Sequence, residues 1–337
     1  EQNAKLLKNN LVSYVNTDGG SKGFLNIGGS HTLENFFNRI MKDVNDPNLK
    51  VSLFDRKAAN LLVNGSDSEK TDLKRGDDLR INALGSGSDY SPFLQHLGIA
   101  SAHLNFSGEG DGGSYHTLYD TYNHYTLWRD PGLIYREVLA RVAGRSTLRL
   151  SEARILPFKF SNFLDTVNSY ISEIKSLSES MRSNRSDTNM LITNDIYRLS
   201  LDPSKTLSPP KEQPAVPFFN FSLIDNSLER LSNSISMYDN AYKHQNISEE
   251  NIVRLNKLLY QSERLMTREH GLPNRPWYKH HIYAPGFYTG YGVKTIPGVR
   301  EAIEESDFDI VNEQIGIVAG LIDDLANNLN EAASLFN

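Results

Sequence analysis

The chain has 337 residues, of which 39% are hydrophobic and 23% charged, an ordinary balance for a globular protein of about two domains. Its net charge of −6 argues against nucleic acid as the main partner, because phosphate binding needs a basic surface. There are no cysteines, which excludes disulfides and thiolate metal sites, and no apolar run approaches the ~20 residues of a membrane helix.

The amino end, EQNAKLLKNN, lacks a Met and a signal peptide and reads as the tail of a helix already under way, so a fragment or processed piece is expected. LVSYVN (11–16) reads as a buried strand, with Asp18 and a glycine pair at its carboxyl end. TLENFFNRIMKDV (32–44) carries apolar residues at three- and four-residue spacing and predicts a helix, whereas NGSDSEKTDLKRGDD (64–78) reads as a polar loop. GSGSDYSPFLQHLG (85–98) is a glycine turn entering a short helix, and IASAHLNF (99–106) is a second strand. This order predicts an α/β layer with a largely parallel sheet, in which ligands sit beyond the carboxyl ends of the strands.

After ARILPF (153–158) the pattern turns helical. Phe160, Phe163, Val167, Tyr170, Ile174, Leu177 and Met181 form one stripe, and a Pro-rich connector (201–217) follows. A second stripe runs from Ile224 to Tyr242, and a third helix starts near Ser248 with Glu249 and Glu250 in its first turn. The last stripe, Val311 to Phe336, suits either a bundle core or a face for a second copy. The expected fold class is therefore α/β followed by a four-helix-bundle-like domain, with domains at 1–155 and 156–337.

Two positions could carry metal chemistry. Asp18 lies at a strand end, where it is either a ligand or an ordinary turn residue. His116, in the tyrosine-rich GSYHTLYDTYNHY (113–125), is the stronger candidate, because catalytic zinc sites without cysteine use His with Asp or Glu. His31, His96, His103, His124 and His244 read as surface or packing residues, while His280 and His281 either reach a neighbouring site or lead a strand. GSGSDY lacks the Lys-Ser/Thr of a phosphate loop and is not G-x-S-x-G. Sequons at Asn64, Asn105, Asn184, Asn220 and Asn246 are no more than chance supplies.

Several segments together carry a resemblance: YVNTDGG, GSGSDYSPFLQHLGIAS, YHTLYDTY, the junction LPF, and GLPNRPWYKHHIYAPGFYTGYGVKTIPGVREAI. In order and spacing they resemble the glutamate carboxypeptidase II and transferrin receptor family of di-zinc metallopeptidases, with a look of its fungal vacuolar-sorting relatives. The resemblance implies the carboxyl-terminal part of a peptidase domain followed by a helical domain that dimerises. It implies zinc ligands at Asp18 and His116, an oxyanion-donating Tyr115, and a substrate wall at Ser86, Gly87, Ser88 and Tyr291. Asp89 matches as well, as a helix cap or a substrate contact. The general-base Glu and the other ligands of the two zinc ions fall upstream of Glu1, so this chain alone is expected to be inactive.

His103 and Asn105 replace an arginine pair of the glutamate-preferring enzyme, and Gly290 replaces its pocket lysine, so a preference for C-terminal glutamate is not expected. The implied parent is an exopeptidase acting on peptides, homodimeric through its carboxyl-terminal helices. Its membrane anchor would lie upstream and its catalytic domain on the luminal or extracellular side, in a vacuole or endosome. The other expectation is a non-catalytic receptor or trafficking adaptor on the same fold.

Overall fold

The computed structural model describes residues 2–110, 112–206, 208–244 and 246–336. Helix α1 (Ala4–Asn10) leads into β1 (Tyr14–Asn16), and β2 (Gly23–Gly29) follows the Asp18 turn. A 3₁₀ turn (His31–Leu33) opens α2 (Glu34–Asp43), whose Phe36, Phe37, Ile40 and Met41 are buried at the predicted helical spacing. Helices α3 (Leu53–Asn64) and α4 (Asp67–Arg75) precede β3 (Ser101–Gly108), which completes a sheet of order β1-β3-β2.

The central strand β3 runs parallel to β1, pairing Asn16 with His103, and antiparallel to β2, pairing Gly23 with Gly108. The sheet is thus mixed, where the sequence suggested a largely parallel one. β2 carries little strand propensity because its glycines are there for close approach: a Cβ on Gly23 or Gly29 would lie 2.4 or 2.1 Å from a carbonyl oxygen of β3.

Helix α4 corrects the polar loop expected over 64–78. Ser66 and Glu69 form a reciprocal capping box, and Gly76 closes the helix in the left-handed conformation. After β3 come the short α5 (Tyr122–His124), a π-helical turn (Tyr125–Arg129) and α6 (Ile134–Ser151). Helix α6 buries Tyr135, Val138, Leu139 and Val142 and packs on α2 and β3.

The helical part begins with α7 (Ser161–Thr193) and the short α8 (Ile196–Leu199). The Pro-rich connector is pinned to α7 by Arg182, which donates to the carbonyls of Val216 (3.1 Å) and Pro217 (2.7 Å) and lies 3.9 Å over the Phe218 ring. Helices α9 (Ser222–His244) and α10 (Glu249–Gln261) follow, the latter capped by the Ser248 hydroxyl accepting from Asn251 N–H. A hairpin of β4 (Tyr283–Pro285) and β5 (Val293–Thr295) precedes α11 (Pro297–Glu304) and α12 (Phe308–Ser334).

The stripe on α12 is bundle core. Val311, Ile315, Val318, Ile322, Leu325 and Leu329 are each at most 1% exposed, covered chiefly by α9. At about 1.5–3 kcal/mol per buried aliphatic side chain, this seam dominates the cohesion of the helical part. The architecture is an α/β layer followed by a helical bundle.

Candidate active site

Parallel pairing of β1 and β3 sets Asn16 beside His103, with Asp18 just beyond the strand end. Asn16 is buried; its side-chain amide lies 2.8 Å from His103 Nδ1 and donates to Ser88 Oγ at 3.0 Å. The Ser88 hydroxyl in turn donates to Asp18 Oδ2. The other Asp18 oxygen faces His103 Nδ1 at 3.6 Å, too far for a hydrogen bond, and the Asp18 side chain is half exposed. Tyr14 donates to Asn16 Oδ1 at 3.2 Å and so orients the amide.

The electrostatics follow from this packing. Desolvation lowers the pKa of His103, against an opposing pull from Asp18, so the ring beside the carboxylate is neutral. With Asn16 donating to Nδ1, its proton belongs on Nε2, where Asn105 lies at 3.1 Å. Exchanging the Asn105 amide atoms would turn its unpartnered buried oxygen toward that proton. Burial, and then the Asp18 charge, push Tyr90 up to about 12. Tyr14 is raised by desolvation, Asp89 and Asp18. Asp89 thus faces Tyr14, and it makes no capping hydrogen bond among the described residues.

Ser86, Gly87, Ser88 and Tyr291 are brought together. Ser86 N–H donates to Tyr291 O at 3.1 Å, and its hydroxyl donates to Gly290 O at 3.3 Å. Gly87 has φ +104°, and a Cβ there would lie 2.8 Å from the Tyr291 ring. At Gly85 the Tyr291 carbonyl would be 1.9 Å from a Cβ. Only glycine lets the hairpin tip seat this closely. The buried Gln95 holds the loop from behind, donating to the carbonyls of Leu84 and Gly85.

Tyr115 and His116 stand apart from this cluster. Their rings stack on each other (centroids 3.7 Å apart), Tyr115 is exposed, and His116 has φ 59°. The turn is held by Thr117 donating to Ser114 O at 2.7 Å, and by Arg129 donating to Ser114 Oγ at 3.2 Å. Among the described residues no hydrogen bond or ion pair joins Tyr115 or His116 to Asp18, and no three His, Cys, Asp or Glu groups converge to hold a metal. A catalytic zinc takes about three protein ligands. Asp18 offers one carboxylate with an open oxygen, so the described residues do not make a zinc site by themselves.

His103 belongs to the cluster, which corrects its reading as a surface or packing residue. The signal was the strand pairing that sets it beside Asn16, which no local pattern displays. His280 and His281 are fully buried and lead β4. His31 is buried as well and packs as expected.

Residues 219–330 match the transferrin receptor-like dimerisation domain. The chain is 28% identical over 315 residues to the Probable glutamate carboxypeptidase LAMP1 of Arabidopsis thaliana, covering 91% of this chain and 37% of that protein. It is 35% identical over 97 residues to the Aminopeptidase NAALADL1 of Rattus norvegicus, covering 27% and 13%. Vacuolar protein sorting-associated protein 70 of Saccharomyces cerevisiae is 23% identical over 242 residues, covering 71% and 28%. The chain thus spans little more than a third of the length of LAMP1. It is similar to glutamate carboxypeptidase-like proteins over most of its length and carries, at 219–330, a transferrin receptor-like dimerisation domain.

Proposed function

We propose that this chain is the carboxyl-terminal portion of a di-zinc exopeptidase acting on peptides, with Asp18 and His116 as zinc ligands, Tyr115 as a hydroxyl donor, and Ser86, Gly87, Ser88 and Tyr291 as substrate wall. The observation that supports it is the Asn16–Ser88–Asp18 cluster. A carboxylate with one oxygen held by a hydroxyl and the other open lies beside the cleft wall of Gly87 and Tyr291. Bound zinc would supply a Lewis acid and a nucleophilic water. This chain's own groups orient the Asp18 carboxylate and wall the cleft.

Among the described residues no Lys or Arg pairs with Asp18, and His103 is neutral. An acidic substrate side chain therefore finds no cation within this cluster, and neutral or basic residues are the favoured class. The dimerisation domain supports a homodimer. A luminal or vacuolar setting with an upstream membrane anchor belongs to the same proposal; among the described residues no helix is long and apolar enough to cross a membrane.

Metal analysis of the full-length protein tests this. The expected result is about two zinc ions per protomer and chelator-sensitive peptidase turnover, with Asp18→Ala losing zinc and activity. A well-folded full-length protein without zinc or turnover would instead be the non-catalytic receptor or adaptor, a reading that the sorting-protein relative also supports.

A further inference from the structure

We propose that the buried polar junction between the α/β layer and the helical part is an acid-released latch that seats the β4–β5 hairpin against the Gly85–Ser88 loop. It stands apart from the zinc reading, since its buried polar groups (Ser30, His31, Glu263, His280, His281 and Tyr283) lie outside the cluster around Asp18, although the loop it seats carries Ser88.

The centre of the junction is Glu263, in the 3₁₀ turn after α10 and 1% exposed. Its carboxylate accepts from Tyr283 OH and from His280 Nε2 at 3.1 Å, and the Ser30 hydroxyl lies against it. Both hydrogen bonds reach Oε1, and among the described residues Oε2 has no partner; desolvation would raise the pKa, but the hydrogen bonds and the His280 charge lower it. Ser30 comes from the end of β2, and its hydroxyl also accepts from Ser101 N–H of β3 at 3.0 Å. Two strands, the turn after α10 and the root of the hairpin therefore share one buried charge.

His280 is fixed in one orientation. Its Nδ1 accepts from the backbone N–H groups of Ile282 (3.2 Å) and Tyr283 (3.3 Å), which leaves the proton on Nε2 for Glu263. His281 is 1% exposed and neither ring nitrogen has a partner. It faces His280, His270 and Arg268, all cationic or able to become so; desolvation and then these neighbours lower it to about 3. His31 donates or accepts at Tyr170 OH (2.9 Å), leaves Nδ1 unpartnered, and packs edge-on to Tyr283. Desolvation lowers it to about 4; Glu263 opposes this, whereas Arg80 and His280 add to it.

The sign is set by the depressed values. The folded form keeps His31 and His281 neutral, so their contribution is complete above the ordinary histidine value of about 6.5. It is lost as pH falls from there toward about 4 and about 3. The route to the cleft is short. His280 N–H and Lys279 N–H donate to Gln95 O, whose side chain carries the Gly85 loop, and β4 continues to the hairpin tip at Tyr291.

Hydrogen exchange of the full-length protein at pH 7.5 and pH 5, corrected for intrinsic rates, tests the latch. Opening should rise about tenfold per pH unit for each histidine that charges, and peptides covering 283–295 and 85–88 should lose protection while those of α12 keep theirs. In H31F/H281F the pH dependence of those peptides should vanish. His281→Leu alone, which removes a ring with no partners and so should fold, should reduce it about tenfold per pH unit. The thermal midpoint at pH 7.5 checks that each variant is folded. Equal protection of the hairpin at both pH values, loss of protection in α12 in parallel, or an unchanged pH response in His281→Leu would overturn the proposal. None of these readouts depends on zinc or turnover.

Discussion

At the scale of single residues, the cleft depends on positions where only glycine fits. Gly87 combines a positive φ with a ring edge where a Cβ would go, and its neighbour Ser88 holds Asp18. In Gly87→Ala the backbone must leave φ +104° or the Tyr291 ring must withdraw. The expected cost is about 1–3 kcal/mol, the usual size of such local strain, read as a lowered thermal midpoint. On the proposed function, in which the Tyr291 side is substrate wall, KM of the full-length protein should rise more than kcat falls. An unchanged midpoint would mean that the tip does not seat on the loop. Ile296 is a comparable case, a buried β-branched residue at φ 48° with Pro297 opening α11 behind it. Strain of this kind persists only where the surroundings over-determine the backbone, and here it fixes the exit of the hairpin.

At the scale of elements, α12 separates two classes of position. Ile322 is 0% exposed within the α9–α12 seam, and Ile322→Ala should cost about 2–5 kcal/mol through lost transfer energy and a cavity. Gly316 is exposed, with no atom within 4 Å of a Cβ placed on it. Gly316→Ala should therefore stabilise the helix by about 0.5–1 kcal/mol. Denaturant midpoints of the two variants should move in opposite directions; a loss from Gly316→Ala would mean that a second copy packs on this face. Elements written in a long apolar period were legible in the sequence: α2, α7, α9, α10 and α12 all stand where the spacing puts them. Strand β2 was not, because its glycines answer to β3, a partner about eighty residues away in register. Helix α4 was misread because its composition is polar, although the Ser66–Glu69 cap was present as a local signal. The cleft was legible in the same uneven way. Ser86–Ser88 and Tyr291, named by the resemblance, come together in the structure, whereas His103 enters through strand pairing alone. His116 needs partners that the described residues do not provide.

At the scale of the whole molecule, the buried ionisable groups pull stability in opposite directions as pH changes. His31 and His281, depressed to about 4 and about 3, favour the folded state more as pH rises toward 6.5. Glu34 acts the other way. Burial, against hydrogen bonds from Ile81 N–H and Asn162, raises its pKa to about 7, so the folded state holds a proton that the unfolded chain releases near the ordinary carboxylate value. Its contribution is complete below about 4.5 and is lost as pH rises through about 7. Between pH 4.5 and 6.5 the two histidines outweigh the one carboxylate by about one proton. Together these three groups would contribute a rise in unfolding free energy with pH of about 1.4 kcal/mol per unit. Glu34→Gln removes the opposing group; its one amide oxygen can keep either the Ile81 N–H or the Asn162 contact, and its amide nitrogen takes the other place. The slope should steepen by about 1.4 kcal/mol per unit relative to the parent protein, with the gain in stability concentrated at the neutral end. Denaturant titrations at half-unit pH steps would measure both slopes. If Glu34→Gln left the slope unchanged, the Glu34 carboxyl would be titrating normally and the polar cleft it borders between α2 and α7 would be wetter than its burial indicates.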